Sequence, residues 1–245
     1  MRPRVLVISH LDPSGAHGIA PDMRAIDAMG AKPLPVITGT TVGNPSAPER
    51  IDPVPTRVLR RMINAALAEE PLAAVIGLMA RRSQVRLIAE SLADLGPPTI
   101  VLAPLNLEFD ARPLLGWGAL SAIVDSLLPE ATALVAPALR SNGIVTLADD
   151  SLSAVKAAGQ QLLTTGARSV WLRAASHEGR GIDVFTDFSG AGLLDYPDPN
   201  PEAELSAAAA ALAGQLAMGT ALRLAVDRAH RYACALDRAP HRVLG

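Results

Sequence analysis

The sequence predicts an α/β fold with a central, mostly parallel sheet and helices on both faces. Three observations lead there. Short apolar runs alternate with longer segments of helical periodicity, the order that builds parallel strands through crossover helices. Two of the short runs, "AAVIGLM" (73–79) and "TIVLAPL" (99–105), are apolar almost throughout, which suits strands covered on both faces. A chain of 245 residues with 49% hydrophobic content can bury one large core, so one domain over residues 1–245 is expected.

The elements follow in order. "RVLVIS" (4–9) is the first strand, "HLDPSGAHG" a loop, and 19–29 the first helix. "AKPLPVITG" (31–39) is the second strand, and the Pro-, Gly- and Asn-rich segment 40–55 reads as a loop. Thr56 begins a long helix to about residue 70, with Val58, Leu59, Met62, Ile63, Ala66 and Leu67 on one stripe. Helix "SQVRLIAESLADL" (83–95) separates the two apolar strands. Then come helix 119–131, strand "TALVAP" (132–137), helix 151–166, strand "SVWLRAA" (169–175) and an edge hairpin around "GIDVFTDFSG" (181–190). The next helix is well started: Asn200 can cap it, Pro201 suits its first position, and Glu202 and Glu204 place negative charge where the macrodipole is positive. Helix 221–236 is the last.

Charge and composition narrow the function classes. A formal net charge of -2, with 22 Lys and Arg scattered along the chain and only 3% aromatics, gives no footprint for nucleic acid, and no such partner is expected. The single cysteine, Cys234, excludes an intrachain disulfide and fits a reducing compartment, so a cytoplasmic location is expected. No apolar stretch approaches a membrane span, and no membrane partner is expected. His10, Asp12 and His17 flank one loop, but no third ligand stands at a defined spacing, so no metal site is expected there. His177, His230, His241 and Cys234 read as surface or buried structural residues.

"LDPSGAHGIAPD" (11–22) sets Gly15 and Gly18 between a strand and a helix, without the Lys-Ser/Thr pair of a phosphate loop or the dinucleotide glycine spacing. The segment resembles the "GSDPSGGAGIQAD" signature of the hydroxymethylpyrimidine (phosphate) kinases of thiamin biosynthesis, in the ribokinase-like superfamily. Asp12, Pro13, Ser14, Gly15, Gly18, Ile19 and Asp22 match. Further landmarks follow in the same order over nearly the whole chain. "AIDAMGAKPLPVIT", "IDPVP", "VIGLMA", "LLPEATALVAP" and "ELSAAAAALAGQLAMG" resemble the family's "TFSALGAYGMSVIT", "VHPVP", "KIGMLA", "LLPLATVVTP" and "TLSAAIAAGLAKG". The resemblance implies a ribokinase-like fold, a homodimer and a small pyrimidine-like ligand, with His17, Gly18, Asp22, Gly43, Asn44, Leu78, Leu105 and Ala203 on the substrate side.

The same comparison removes the catalytic residues. The family's Gly-Thr-Gly-Cys, with its anion-cradling amides and cysteine base, falls on Asn200, Pro201, Glu202 and Ala203. Proline lacks an amide donor, and a carboxylate about 5 Å from a phosphate opposes it by roughly 3 kcal/mol at an effective dielectric of 20. The family's magnesium-holding Asn-Leu-Pro-Glu falls on Ala138, Leu139, Arg140 and Ser141, and its strand-end aspartate on Ala103. Its lysine and glycines fall on Arg173, Ala174 and Ala175, and its ring-binding glutamine on Gly43 beside Asn44. No catalytic residue and no cofactor are therefore expected. Three readings remain: a small-molecule-binding or regulatory protein that has lost phosphoryl transfer, an atypical kinase using ATP and magnesium, or a structural partner.

Overall fold

In the computed structural model all residues are described except 45–46, 96, 98, 105–107, 110–111, 114–116, 139–143, 150, 178–179, 197–204 and 238–245. The strands are β1 (Arg4–Leu11), β2 (Lys32–Asn44), β3 (Ala47–Pro53), β4 (Ala73–Ile76), β5 (Ile100–Leu102), β6 (Glu108–Phe109), β7 (Arg112–Pro113), β8 (Ala133–Pro137), β9 (Ser169–His177), β10 (Arg180–Asp187) and β11 (Gly190–Tyr196). The helices are α1 (Ile19–Ala28), α2 (Thr56–Leu67), α3 (Arg82–Leu95), α4 (Trp117–Ser126), α5 (Leu152–Thr164), α6 (Leu205–Ala217) and α7 (Leu222–Asp237). Nine strands form one sheet in the order β11-β10-β9-β8-β5-β4-β1-β2-β3, and β6 and β7 pair separately. The pairs linking β2, β1, β4, β5, β8 and β9 are parallel, while β3, β10 and β11 join antiparallel at the two edges. The protein is thus a mostly parallel α/β fold, as the sequence predicts.

The central strands are the apolar runs. Val5–Ile8, Ala73–Ile76 and Ile100–Leu102 are all buried, as strands covered on two faces must be. Helix α1 packs with α6, and α6 with α7, on the face that the right-handed crossover rule assigns to α1. Helices α2, α3 and α4 pack in sequence on the other face. Twelve of the thirteen residues of α6 are buried, most of them alanine, so this helix lies inside the molecule across β1, β4, β5 and β8. Among the described residues no helix is long and apolar enough to cross a membrane.

Two expectations need correction. Segment 40–55 is not a loop: β2 continues to Asn44 and turns into β3, with Thr41 paired to Ile51 and Gly43 to Pro48. The prolines of β3 are tolerated because β3 is an edge strand with one side free of ladder bonds. In α2, Val58 stands 41% exposed, outside the buried stripe of Leu59, Ile63, Ala66 and Leu67.

Candidate functional site

Open parallel sheets bind ligands at the carboxyl ends of their strands, where the strand order reverses. Here the chain leaves β1 for β2 on one side and later returns to β4 on the other, which puts that point at the ends of β1 and β4. The loop after β1 (residues 12–18), Ala103 after β5 and Asn44 at the end of β2 all stand at this edge of the sheet.

Asp12 builds the loop. Its carboxylate accepts hydrogen bonds from the Ser14 amide at 3.0 Å, the Ser14 hydroxyl at 2.5 Å and the His17 amide at 3.1 Å. Partial burial works to raise the Asp12 carboxyl, but these hydrogen bonds outweigh it and hold the group below its ordinary range. Gly18 then caps α1 with φ 70° and ψ -142°. A side chain there would meet the His10 carbonyl at 2.3 Å and the His10 ring at 2.8 Å, so only glycine lets β1 and α1 come this close.

Beneath the loop, His10 is fully buried, and neither ring nitrogen has a hydrogen-bond partner among the described residues. Burial pushes its pKa down to about 4, against the pull of Asp12, so the ring is neutral at physiological pH. Asp22, on the first turn of α1, is 1% exposed and accepts a hydrogen bond from Ser206 of α6. Burial pushes its pKa up to about 7, with Ser206 and Arg24 opposing. At the end of β4, Gly77 leaves room for the Ser9 hydroxyl, and the Leu78 carbonyl accepts from Thr38 at 2.7 Å.

The expected substrate-side residues sort as follows. Gly18 and Asp22 meet at the start of α1, with half-buried His17 in the adjoining loop. Leu78 is fully buried, so it meets this edge through its backbone. Gly43 and Asn44 are the last residues of β2, paired with Pro48 and Ala47. Leu105 and Ala203 lie outside the described residues, as do Leu139, Arg140, Ser141 and the whole stretch from Asn200 to Glu204. Arg173, which the resemblance sets at the family's lysine, is fully buried in β9. Its Nε donates to Asp183 Oδ2 at 3.1 Å, and its guanidinium lies 5.5 Å from the Trp171 ring centre. Trp171 Nε1 donates to the same oxygen at 3.0 Å, and His230 Nδ1 of α7 lies 3.0 Å from it.

Sequence reasoning did not find this Asp183 cluster, the Asp22–Ser206 bond or the orphaned ring of His10. The last had a signal: His10 stands where the quoted kinase signature begins with glycine. The other two join residues 47 and 184 positions apart and leave no local pattern. No group of three His, Cys, Asp or Glu side chains among the described residues is placed to hold a metal ion.

Comparison with known proteins adds the family. The phosphomethylpyrimidine kinase family model matches residues 12–242. A thiamine biosynthesis bifunctional protein of Geobacter sulfurreducens is 28% identical over 97% of this chain, which spans only 49% of that protein's length. A hydroxymethylpyrimidine/phosphomethylpyrimidine kinase of Streptomyces coelicolor is 26% identical, with 94% of this chain and 87% of that one covered. Among solved structures, a phosphomethylpyrimidine kinase of Clostridium difficile 630 superposes with TM-score 0.84 at 20% identity, covering 97% of this chain and all of the other. The pyridoxal kinase of Staphylococcus aureus in complex with pyridoxal gives TM-score 0.85 at 19% identity, covering 95% and 87%. At such identities the superpositions speak for the fold alone.

Proposed function

Because the chain belongs to the phosphomethylpyrimidine kinase family, we propose that it has kept a small-molecule crevice at the strand ends while giving up phosphoryl transfer. In this reading it acts as a binding or regulatory protein for a small pyrimidine-like ligand, as a homodimer in the cytoplasm.

The observation that carries the loss is Arg173. Phosphoryl transfer rests on positioning and on cationic charge near the phosphate. The resemblance sets Arg173 at the family's lysine, yet its charge is already met by Asp183 inside the protein. Separating a buried ion pair of this kind costs about 3–5 kcal/mol. The ends of β5 and β8 agree with it: they carry the methyl groups of Ala103 and Ala138 where the resemblance implies carboxylate and magnesium-holding groups. These three positions speak for a reading without Mg-ATP.

The binding half draws support from the other side of the crevice. A neutral His10 ring offers one donor and one acceptor, and Asp22, titrating near neutrality, offers either. That mixture suits a neutral aromatic heterocycle better than an anion. The retained Gly18 and Asp22 also favour a second reading, an atypical hydroxymethylpyrimidine kinase that uses ATP and magnesium.

Calorimetric titration separates the two. We expect heat on adding hydroxymethylpyrimidine or its phosphate, none with Mg-ATP into the millimolar range, and no phosphorylated product. Pyrimidine-dependent ATP turnover by the unmodified protein overturns the loss of transfer, and absence of pyrimidine binding overturns the retained crevice. Light scattering at the mass of one chain removes the homodimer from this reading.

A further inference from the structure

Helices α2 and α3 pack side by side, and between them opens a groove of about 500 Å³. Thr56 and Arg60 line it from successive turns of α2; Arg82, Ser83, Arg86 and Glu90 line it from α3. Arg82, Arg86 and Glu90 are four residues apart in turn and share one helix face. The groove therefore collects three guanidinium groups and two hydroxyls against one carboxylate. Arg60 and Glu90 approach only to 3.7 Å, too long for a hydrogen bond. The guanidinium groups of Arg82 and Arg86 make no ion pair or hydrogen bond with any described residue. Against three guanidinium groups Glu90 is the one carboxylate of the lining, which leaves the groove a surplus of positive charge for a bound anion to meet. Arg60 and Arg82, far apart in the sequence, meet only through packing, which is why the basic residues look scattered in the linear chain.

We propose that the α2–α3 groove binds the phosphoryl group of a small phosphorylated ligand, at a site separate from the strand-end crevice. Guanidinium groups match phosphate oxygens with paired donors, and here they converge from two helices with the hydroxyls of Thr56 and Ser83 between them. The volume lies within the usual range for small-molecule sites. Buried Leu87 gives the groove an apolar floor for a small organic body. The lining holds no aromatic ring on which a nucleic-acid base could stack. The site does not depend on the crevice: α2 and α3 cover the sheet face opposite α1 and α6, which hold Asp22 and Ser206.

Pyrophosphate and inorganic phosphate serve as probes, titrated at low salt and followed by calorimetry and by ³¹P line broadening. Pyrophosphate is expected to bind more tightly than phosphate and to weaken as salt rises. The double substitution R82Q/R86Q is expected to lower its affinity at least tenfold, with an unchanged circular dichroism spectrum. R168Q, at an exposed arginine away from the groove, is expected to leave it unchanged. Wild-type pyrophosphate affinity in R82Q/R86Q, or no pyrophosphate binding at all, overturns the proposal. So does an oligoglutamate peptide that competes at lower concentration than pyrophosphate, since the groove would then be a protein-docking surface. Unaltered hydroxymethylpyrimidine binding in R82Q/R86Q would keep the two sites distinguishable.

Discussion

His10 and Asp22 are buried within one loop and one helical turn of each other, and their protonation linkages oppose. His10 falls from 6.5 to about 4 on folding, so it contributes stability that is present above pH 6.5 and lost as pH drops toward 4. Asp22 rises from 3.8 to about 7, so its contribution is full below pH 3.8 and lost as pH climbs through 7. Between roughly pH 4 and 6.5 the two slopes, each about 1.4 kcal/mol per pH unit, cancel. Urea midpoints of the wild type should be nearly flat across that window. H10Q should make them fall with rising pH, and D22N should make them rise; parallel profiles for all three proteins would refute the assignment. Asp183 is a different case, because its carboxylate meets a buried arginine, an indole and an imidazole. D183N leaves Arg173 charged and without its counter-ion, and should cost about 3–5 kcal/mol in urea unfolding. D187N, which breaks a pair whose Arg223 is half exposed, should cost no more than about 1 kcal/mol.

At the scale of elements, much was legible and the exceptions are physical. The alternation of apolar runs with helical stripes set out the parallel strands and the seven helices because burial on two faces writes itself into composition. The β2–β3 hairpin was missed because an edge strand answers to looser rules: Pro48 and Pro53 read as punctuation, yet they sit where no partner needs their amides. The candidate site was legible where it is local, in the run from Asp12 to Asp22, and illegible where it joins distant elements, as Ser206 meets Asp22. Within that run the two glycines differ. Gly15 has φ 71° and open space around it, so G15A should cost only about 1 kcal/mol from the backbone. Gly18 has backbone and ring atoms in the way, and G18A should cost at least about 2 kcal/mol. Equal thermal shifts for the two variants would mean that the close packing of β1 on α1 is not the reason for Gly18.

On the scale of the whole molecule, the sheet is laid down outward from β1, third from one edge, and its central strands are covered on one side by a helix that comes last but one. Asp22 and Ser206 are 184 positions apart, and α6 packs on β1, β4, β5 and β8. A chain truncated after residue 204 should therefore bind a hydrophobic dye and unfold without a cooperative transition; a dye-free, cooperative truncation would show that the sheet does not need α6. Alanine helps such a late arrival, since α6 freezes few side-chain rotamers as it slides into place. There is also a consequence for the making of the protein. At a synthesis rate of 5–20 residues per second, roughly 10–40 s separate the emergence of α1 from that of the helix that covers it. Over that interval β1, β4, β5 and β8 leave the ribosome in turn, and the apolar face they build stays without its cover until the alanine helix follows.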